Sequence, residues 1–302
     1  MNLGQTNRKA PLMQFRMSSL ALAAAVFVSL ALPKTALAAT PGERPRTVAS
    51  VAKATPATSS AASRVDSVRE RGSVRVCAWP EYHGISLRNP RSGEWVGIDA
   101  DLARELARDL GVKLEIVESS FPRLIDDLLG DRCDVAMFGV GMLPQRVDRL
   151  RFTQPYLQSD IFAVAARGSR VVRDWNDIDQ PGVRVAVAAG TFMEPVMQMR
   201  LQKARMVVVR PPETREQELE SGRVDVFMTD YPYSRRLLEN TDWARLIRPP
   251  GPVYPLQYGY PVKPGDERWF QRMSAFVSAI KSDGRLEAAA RRHGLSEIVV
   301  RR

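Results

Sequence analysis

From Val74 onward, short runs rich in β-branched residues alternate with stretches whose apolar positions recur every three or four residues. The runs lie at 74–79, 113–117, 133–138, 184–188, 206–209 and 224–228. After the first, Ile98, Leu102, Ala103, Leu106, Ala107 and Leu110 fall on one face of a predicted helix, with Asp99 placed to cap its start and Gly111 to end it. Phe121, Leu124, Ile125, Leu128 and Leu129 repeat the spacing. Strands alternating with helices of this length predict right-handed βαβ units and parallel sheets. The alternation occurs once before about Ala165 and again after Arg184, which predicts two small sheets rather than one large one. Residues 157–166 and 253–262 are expected to be the crossings between two lobes. Lobe one is then 70–164 plus 256–302, ending in helical patterns at 267–280 and 286–292, and lobe two is 165–255. Ligands of open parallel sheets bind at the carboxyl ends of the strands, so two such sheets face to face make a cleft.

The N-terminus follows another pattern. Arg8, Lys9 and Arg16 precede an apolar run at 20–32 and then Ala36-Leu37-Ala38, with no acid before residue 39. This is the order of a secretory signal peptide, 1–38, cleaved after Ala38, and it predicts a periplasmic protein. The run is shorter than the ~18–20 apolar residues that span a bilayer. Residues 39–69 are dominated by Ala, Thr, Pro, Ser and charged side chains, too poor in large apolar groups to offset ordering entropy, and are expected to be a flexible leader. Removing Arg8, Lys9, Arg16 and Lys34 from the 44 basic residues leaves 40 against 34 acids, a net +6 in place of the full chain's +10. The excess is spread out, without the basic, aromatic-interleaved run of a nucleic-acid binder, and no nucleic-acid partner is expected.

Four segments, in order, resemble the family 3 periplasmic solute-binding proteins that serve polar amino-acid ABC importers. They are Val96-Gly97-Ile98-Asp99-Ala100-Asp101-Leu102-Ala103; Gly130-Asp131-Arg132-Cys133-Asp134-Val135-Ala136-Met137; Pro144-Gln145-Arg146 followed by Phe152-Thr153-Gln154-Pro155-Tyr156; and Gly190-Thr191 with Glu194, followed by Val224-Asp225-Val226-Phe227-Met228-Thr229-Asp230. The resemblance covers nearly everything from Ser73 to Leu295. It implies an α/β, two-lobed periplasmic-binding-protein-like fold, with two parallel-rich sheets joined by two hinge crossings. It also implies a monomer that needs no cofactor, takes a small polar solute of amino-acid character, and meets ABC permease subunits in the inner membrane.

The same resemblance assigns roles. Arg146 matches the arginine that grips the solute's α-carboxylate, which a planar guanidinium pairs through both oxygens. Asp230 matches the partner of the α-ammonium, although capping the helix after it would account for an aspartate there. Thr191 and Phe192 belong to the second lobe's ligand loop, where helix-start amides suit a carboxylate. Thr191 and Glu194 also fit a capping box of purely structural purpose. Tyr82 and Phe121 match aromatic positions that sandwich the solute's side chain, while Phe121 is equally in register with the core positions Leu124 and Ile125.

The chain departs from the family pattern at several positions. Gly139 and Gly141 stand where serine or threonine hydroxyls are common, and Trp79 where binders of cationic amino acids carry an acid. Neutral solutes are therefore expected to bind more tightly than lysine or arginine, with Glu81 the one acid seen nearby.

Cys77 and Cys133 are the only cysteines, on the first and third predicted strands; an exported pair reads as a disulfide or as two buried thiols. His83 and His293 have no ligand-like spacing, and no metal site is expected. The expected function is non-catalytic binding. The alternative is a cyclohexadienyl dehydratase-like enzyme acting on prephenate or arogenate, which shares the family pattern and would need a positioned acid or base: Glu194, Glu81 or His83.

Overall fold

The computed structural model describes residues 63–301. The expected signal peptide and most of the expected leader lie outside the described residues. The rest of the leader is corrected: Arg64–Arg71 is a helix, capped by Ser63 and ended by Gly72, with Val65 and Val68 buried. Its composition is polar, and what holds it is ionic. Arg64, Arg71 and Arg75 all reach the fully buried carboxylate of Asp134, and Ser63 and the Arg64 amide bond Asp266. Three charge-assisted partners offset the cost of burying that aspartate. Among the described residues no helix is long and apolar enough to cross a membrane.

Two sheets carry parallel strands and have helices against them, beside three small antiparallel sheets. The first has three parallel strands in the order Lys113–Glu118, Ser73–Ala78, Val135–Ala136. The helix Ile98–Leu110 buries Ile98, Leu102, Ala103, Leu106 and Ala107 beside it, each large side chain contributing about 1.5–3 kcal/mol. Gly111 ends that helix as expected. The third strand is shorter than the expected run, and Cys133 lies two residues ahead of it. Cys77 and Cys133 nevertheless form a disulfide across the neighbouring strands, with Cα atoms 5.5 Å apart.

The second sheet has five strands, ordered Arg205–Val209, Arg184–Ala188, Val226–Asp230, Ile161–Ala166, Ala244–Ile247. The first three are parallel, as expected, and the last two join antiparallel. Ile161–Ala166 is thus a sheet strand and not a crossing, so the chain enters the second sheet at Ile161, ahead of the expected boundary at 165. The contact between crossings is narrower than expected: Leu157–Ser159 pairs antiparallel with Leu256–Tyr258. Asp160 ties the two together by accepting the amides of Ile161, Val253 and Tyr254.

Candidate functional site

The ends of the strands carry the site. Trp79, Tyr82, Phe121, Gly139, Gly141 and Arg146, from the first sheet's side, line one wall of a narrow chamber of about 20 Å³. Thr191, Phe192 and Asp230, from the second sheet's side, line the other. All nine residues singled out from the sequence are therefore brought together. The chamber has room for roughly one water molecule. Outside it an open cleft of about 720 Å³ runs between Trp79, Ser120 and Arg123 on one side and Gly190, Glu194 and Arg210 on the other.

Arg146 is 4% exposed and lies over the Phe121 ring, 5.1 Å from its centroid. It donates to the Gly141 carbonyl at 3.1 Å and, across the chamber, to the Gly190 carbonyl at 2.6 Å. Burial pushes its pKa down to about 10, against the opposing pull of Tyr258 and Tyr82, so it stays charged at neutral pH. Asp230 caps a helix and also lines the chamber. One oxygen accepts the Tyr233 amide and caps the helix Tyr231–Asn240, while the other accepts the hydroxyls of Tyr82 and Tyr258. Desolvation raises the Asp230 pKa, and the two tyrosines and the amide hold the rise back. Tyr82 and Phe121 meet edge to face, centroids 6.0 Å apart, and Trp79 touches both.

Two expectations about local caps are corrected. Asp99 does not cap its helix, whose N-cap is Gly97. It is fully buried and accepts the Gly139 amide at 2.7 Å and the hydroxyls of Tyr156 at 2.6 Å and Tyr260 at 2.8 Å, fastening the ligand loop to both crossings. Thr191 and Glu194 do not form a capping box either. The helix begins at Met193 with Phe192 as N-cap, the Thr191 hydroxyl donates to the Ala188 carbonyl, and Glu194 accepts the Gly190 amide. The glycines that replace hydroxyl residues have steric reasons. Gly139 has φ of +62°, and a Cβ on it would lie 2.9 Å from the Tyr82 ring; one on Gly141 would lie 2.3 Å from Leu256.

The Asp99 cluster makes a pH prediction. Burial pushes the Asp99 pKa up to about 6, well above its unfolded value, in spite of three donors. Such a group favours folding fully below the unfolded pKa, near 4, and that contribution is lost as pH rises through 6. The stability of the native chain relative to Asp99→Asn should fall by about 2 kcal/mol between pH 4 and pH 7. Urea unfolding of both proteins across that range is the check, and a constant difference would contradict it.

Sequence reasoning missed five residues that line the chamber or bond its aspartate: Met193, Arg215, Thr229, Tyr233 and Tyr258. Tyr233 was within reach, three positions after Asp230 on the same helix. Arg215 carried no signal, since it opens the six-residue helix Arg215–Glu220 whose charges look like a solvated surface. It is instead 4% exposed, donating to the Met228 carbonyl and stacked on Tyr233. The acids offered for catalysis lie elsewhere. Glu81 and Glu194 line the open cleft, and His83 lines a separate pocket with Arg236 and His293, its ring Nδ1 without a partner. Glu81 is also not alone outside the chamber: Glu216 lies near enough to raise its pKa, though burial is the larger cause.

Comparison with known proteins adds the context. The sequence model of the bacterial extracellular solute-binding proteins, family 3, matches residues 74–296. A cyclohexadienyl dehydratase of Pseudomonas aeruginosa is 34% identical over 169 residues, covering 56% of this chain and 63% of that protein. The L-cystine-binding protein TcyJ of Escherichia coli is 24% identical over 225 residues, 74% of this chain and 83% of that protein. Among solved structures, an ancestral amino-acid-binding protein described as a precursor of cyclohexadienyl dehydratase superposes with a TM-score of 0.69 at 26% identity, covering 76% of this chain and 99% of that one.

Proposed function

We propose that this chain, which belongs to the bacterial extracellular solute-binding proteins of family 3, captures a small amino-acid-like solute between its two lobes and presents it to the permease of an ABC importer. The observation that carries the reading is the pairing of Arg146 and Asp230, buried opposite charges on the facing walls of one aromatic-lined chamber. In the closed arrangement the guanidinium donates to a carbonyl of the other lobe. A solute's α-carboxylate would take that carbonyl's place with two oxygens, and its α-ammonium would share Asp230 with the tyrosine hydroxyls. A chamber of about 20 Å³ holds no amino acid, so the lobes open about the paired crossings for it to enter. A relative that binds L-cystine supports the reading, and the signal-peptide pattern agrees with a periplasmic site of action. Calorimetric titration of the mature protein against an amino-acid panel is the test. At least one ligand should bind at micromolar Kd or tighter; if none does, the reading is wrong.

The likeness to a dehydratase supports a second reading, an enzyme acting on prephenate or arogenate. The geometry favours it less. Elimination needs an acid or base at the reacting atoms, and the one carboxylate lining the chamber, Asp230, is engaged by three donors. Glu194 is turned to the Gly190 amide. Incubation with prephenate or arogenate should therefore yield no phenylpyruvate or phenylalanine. Product above a heat-killed control, lost on Glu194→Gln, would put the enzyme first.

A further inference from the structure

The chamber holds one charge more than a zwitterion uses. Its wall carries two guanidinium groups, Arg146 and Arg215, against the single carboxylate of Asp230. Once Arg146 has a solute's α-carboxylate and Asp230 its α-ammonium, Arg215 is left over. Of its five N–H donors, one is used on the Met228 carbonyl at 2.8 Å, and the Tyr233 hydroxyl is a second partner. Its guanidinium carbon lies over Tyr233, 4.5 Å from the ring centroid, and the residue lines the chamber. No carboxylate among the described residues forms an ion pair with it. Glu216, whose charge helps keep the guanidinium ionised, shares a neighbouring pocket with Arg215 but does not line the chamber. Beside Arg215 on the inner wall is Thr229, fully buried, its hydroxyl without any hydrogen-bond partner. A buried arginine with spare donors and a buried orphan hydroxyl, on one wall of one chamber, together ask for an oxygen.

Resting on the solute-binding reading, we infer that Arg215 and Thr229 recognise the far end of the bound side chain, and that this side chain ends in a carboxylate or carboxamide oxygen. Such an oxygen accepts from the guanidinium and the hydroxyl together. An alkyl side chain seated against them would leave both unsatisfied. The side chain of lysine or arginine would set a second cation against Arg215. The acidic and amide amino acids share the recognised chemistry, and the test separates them.

The mature protein is titrated with L-glutamate, L-glutamine, L-aspartate, L-asparagine, L-norleucine, L-lysine and L-arginine. One of the first four should bind at least about tenfold tighter than norleucine, lysine or arginine. Comparison of glutamate with glutamine then shows whether the oxygen is charged. Arg215→Met, which keeps the length and removes the donors, should erase the preference over norleucine. A preference that survives Arg215→Met overturns the inference and leaves the site reading standing, as does norleucine, lysine or arginine as the tightest native ligand. Should Arg215→Met fail to fold by circular dichroism, the native order and Thr229→Val decide the matter in the same way. If no amino acid binds, glutarate separates the two ideas. Glutarate binding that weakens in the variants keeps the inference and removes the amino-acid reading, and no binding at all overturns both.

Discussion

Arg146→Ala is expected to weaken solute binding by about 2–5 kcal/mol, roughly thirtyfold to several thousandfold in Kd, the scale for truncating one partner of a buried charge pair. The size follows from burial. At 4% exposure the guanidinium has given up its water, and what replaces it on the protein side is two carbonyls, Gly141 and Gly190. A solute carboxylate is the better acceptor and carries the opposing charge, so the binding free energy is concentrated there. Arg146→Lys should recover part of the loss, because an ammonium is a point charge without the two-pronged geometry of a guanidinium. Calorimetry on the three proteins, with melting curves to confirm that each is folded, is the measurement. Unchanged affinity in Arg146→Ala would remove this residue from the site.

Replacing both Cys77 and Cys133 by alanine should cost about 4 kcal/mol of folding stability in the loop-entropy picture. The bridge spans a sequence separation of 56 residues. Both sulfurs are buried in a small cluster with Leu124, Leu128, Phe138 and Leu150, set apart from the main core. The cross-link bears on the unfolded chain and the packing on the folded one. Urea unfolding of native and doubly substituted protein gives the difference, and thiol titration of the unfolded native chain without reductant should find none. Two titrating thiols, or a stability loss under 1 kcal/mol, would show that the bridge is not formed in the exported protein.

Much of the architecture was legible because the signals are local. A strand such as Arg184–Ala188 is apolar after its first residue and carries β-branched valines, and the helix Ile98–Leu110 shows its buried face as a spacing of three and four. The short strand Ala244–Ile247 was not legible. Its four residues are buried only at the ends, and it exists because Ile161–Ala166 offers it an antiparallel edge. The helix Arg64–Arg71 escaped for a related reason: its composition is that of a disordered segment, and the carboxylates that hold it, Asp134 and Asp266, are supplied by distant parts of the chain.

The site divides along the same line. By itself the sequence determined which residues are available for it: an arginine just past a strand end, an aspartate closing another strand, aromatic residues in the first loops, and two cysteines on neighbouring strands. Resemblance to the family's short motifs singled those residues out, and periodicity and strand order, which depend on residues a few positions apart, placed them near strand ends. Only the tertiary structure decided what those groups do. Asp99, placed by its spacing at a helix start, serves partners 40, 57 and 161 residues away. Arg215, charged and unremarkable in its own helix, is buried by Tyr233 and Phe227 and becomes the chamber's surplus cation. A side chain's burial and its hydrogen-bond partners are set by which elements pack together, and that is a property of the closed chain rather than of any window along it.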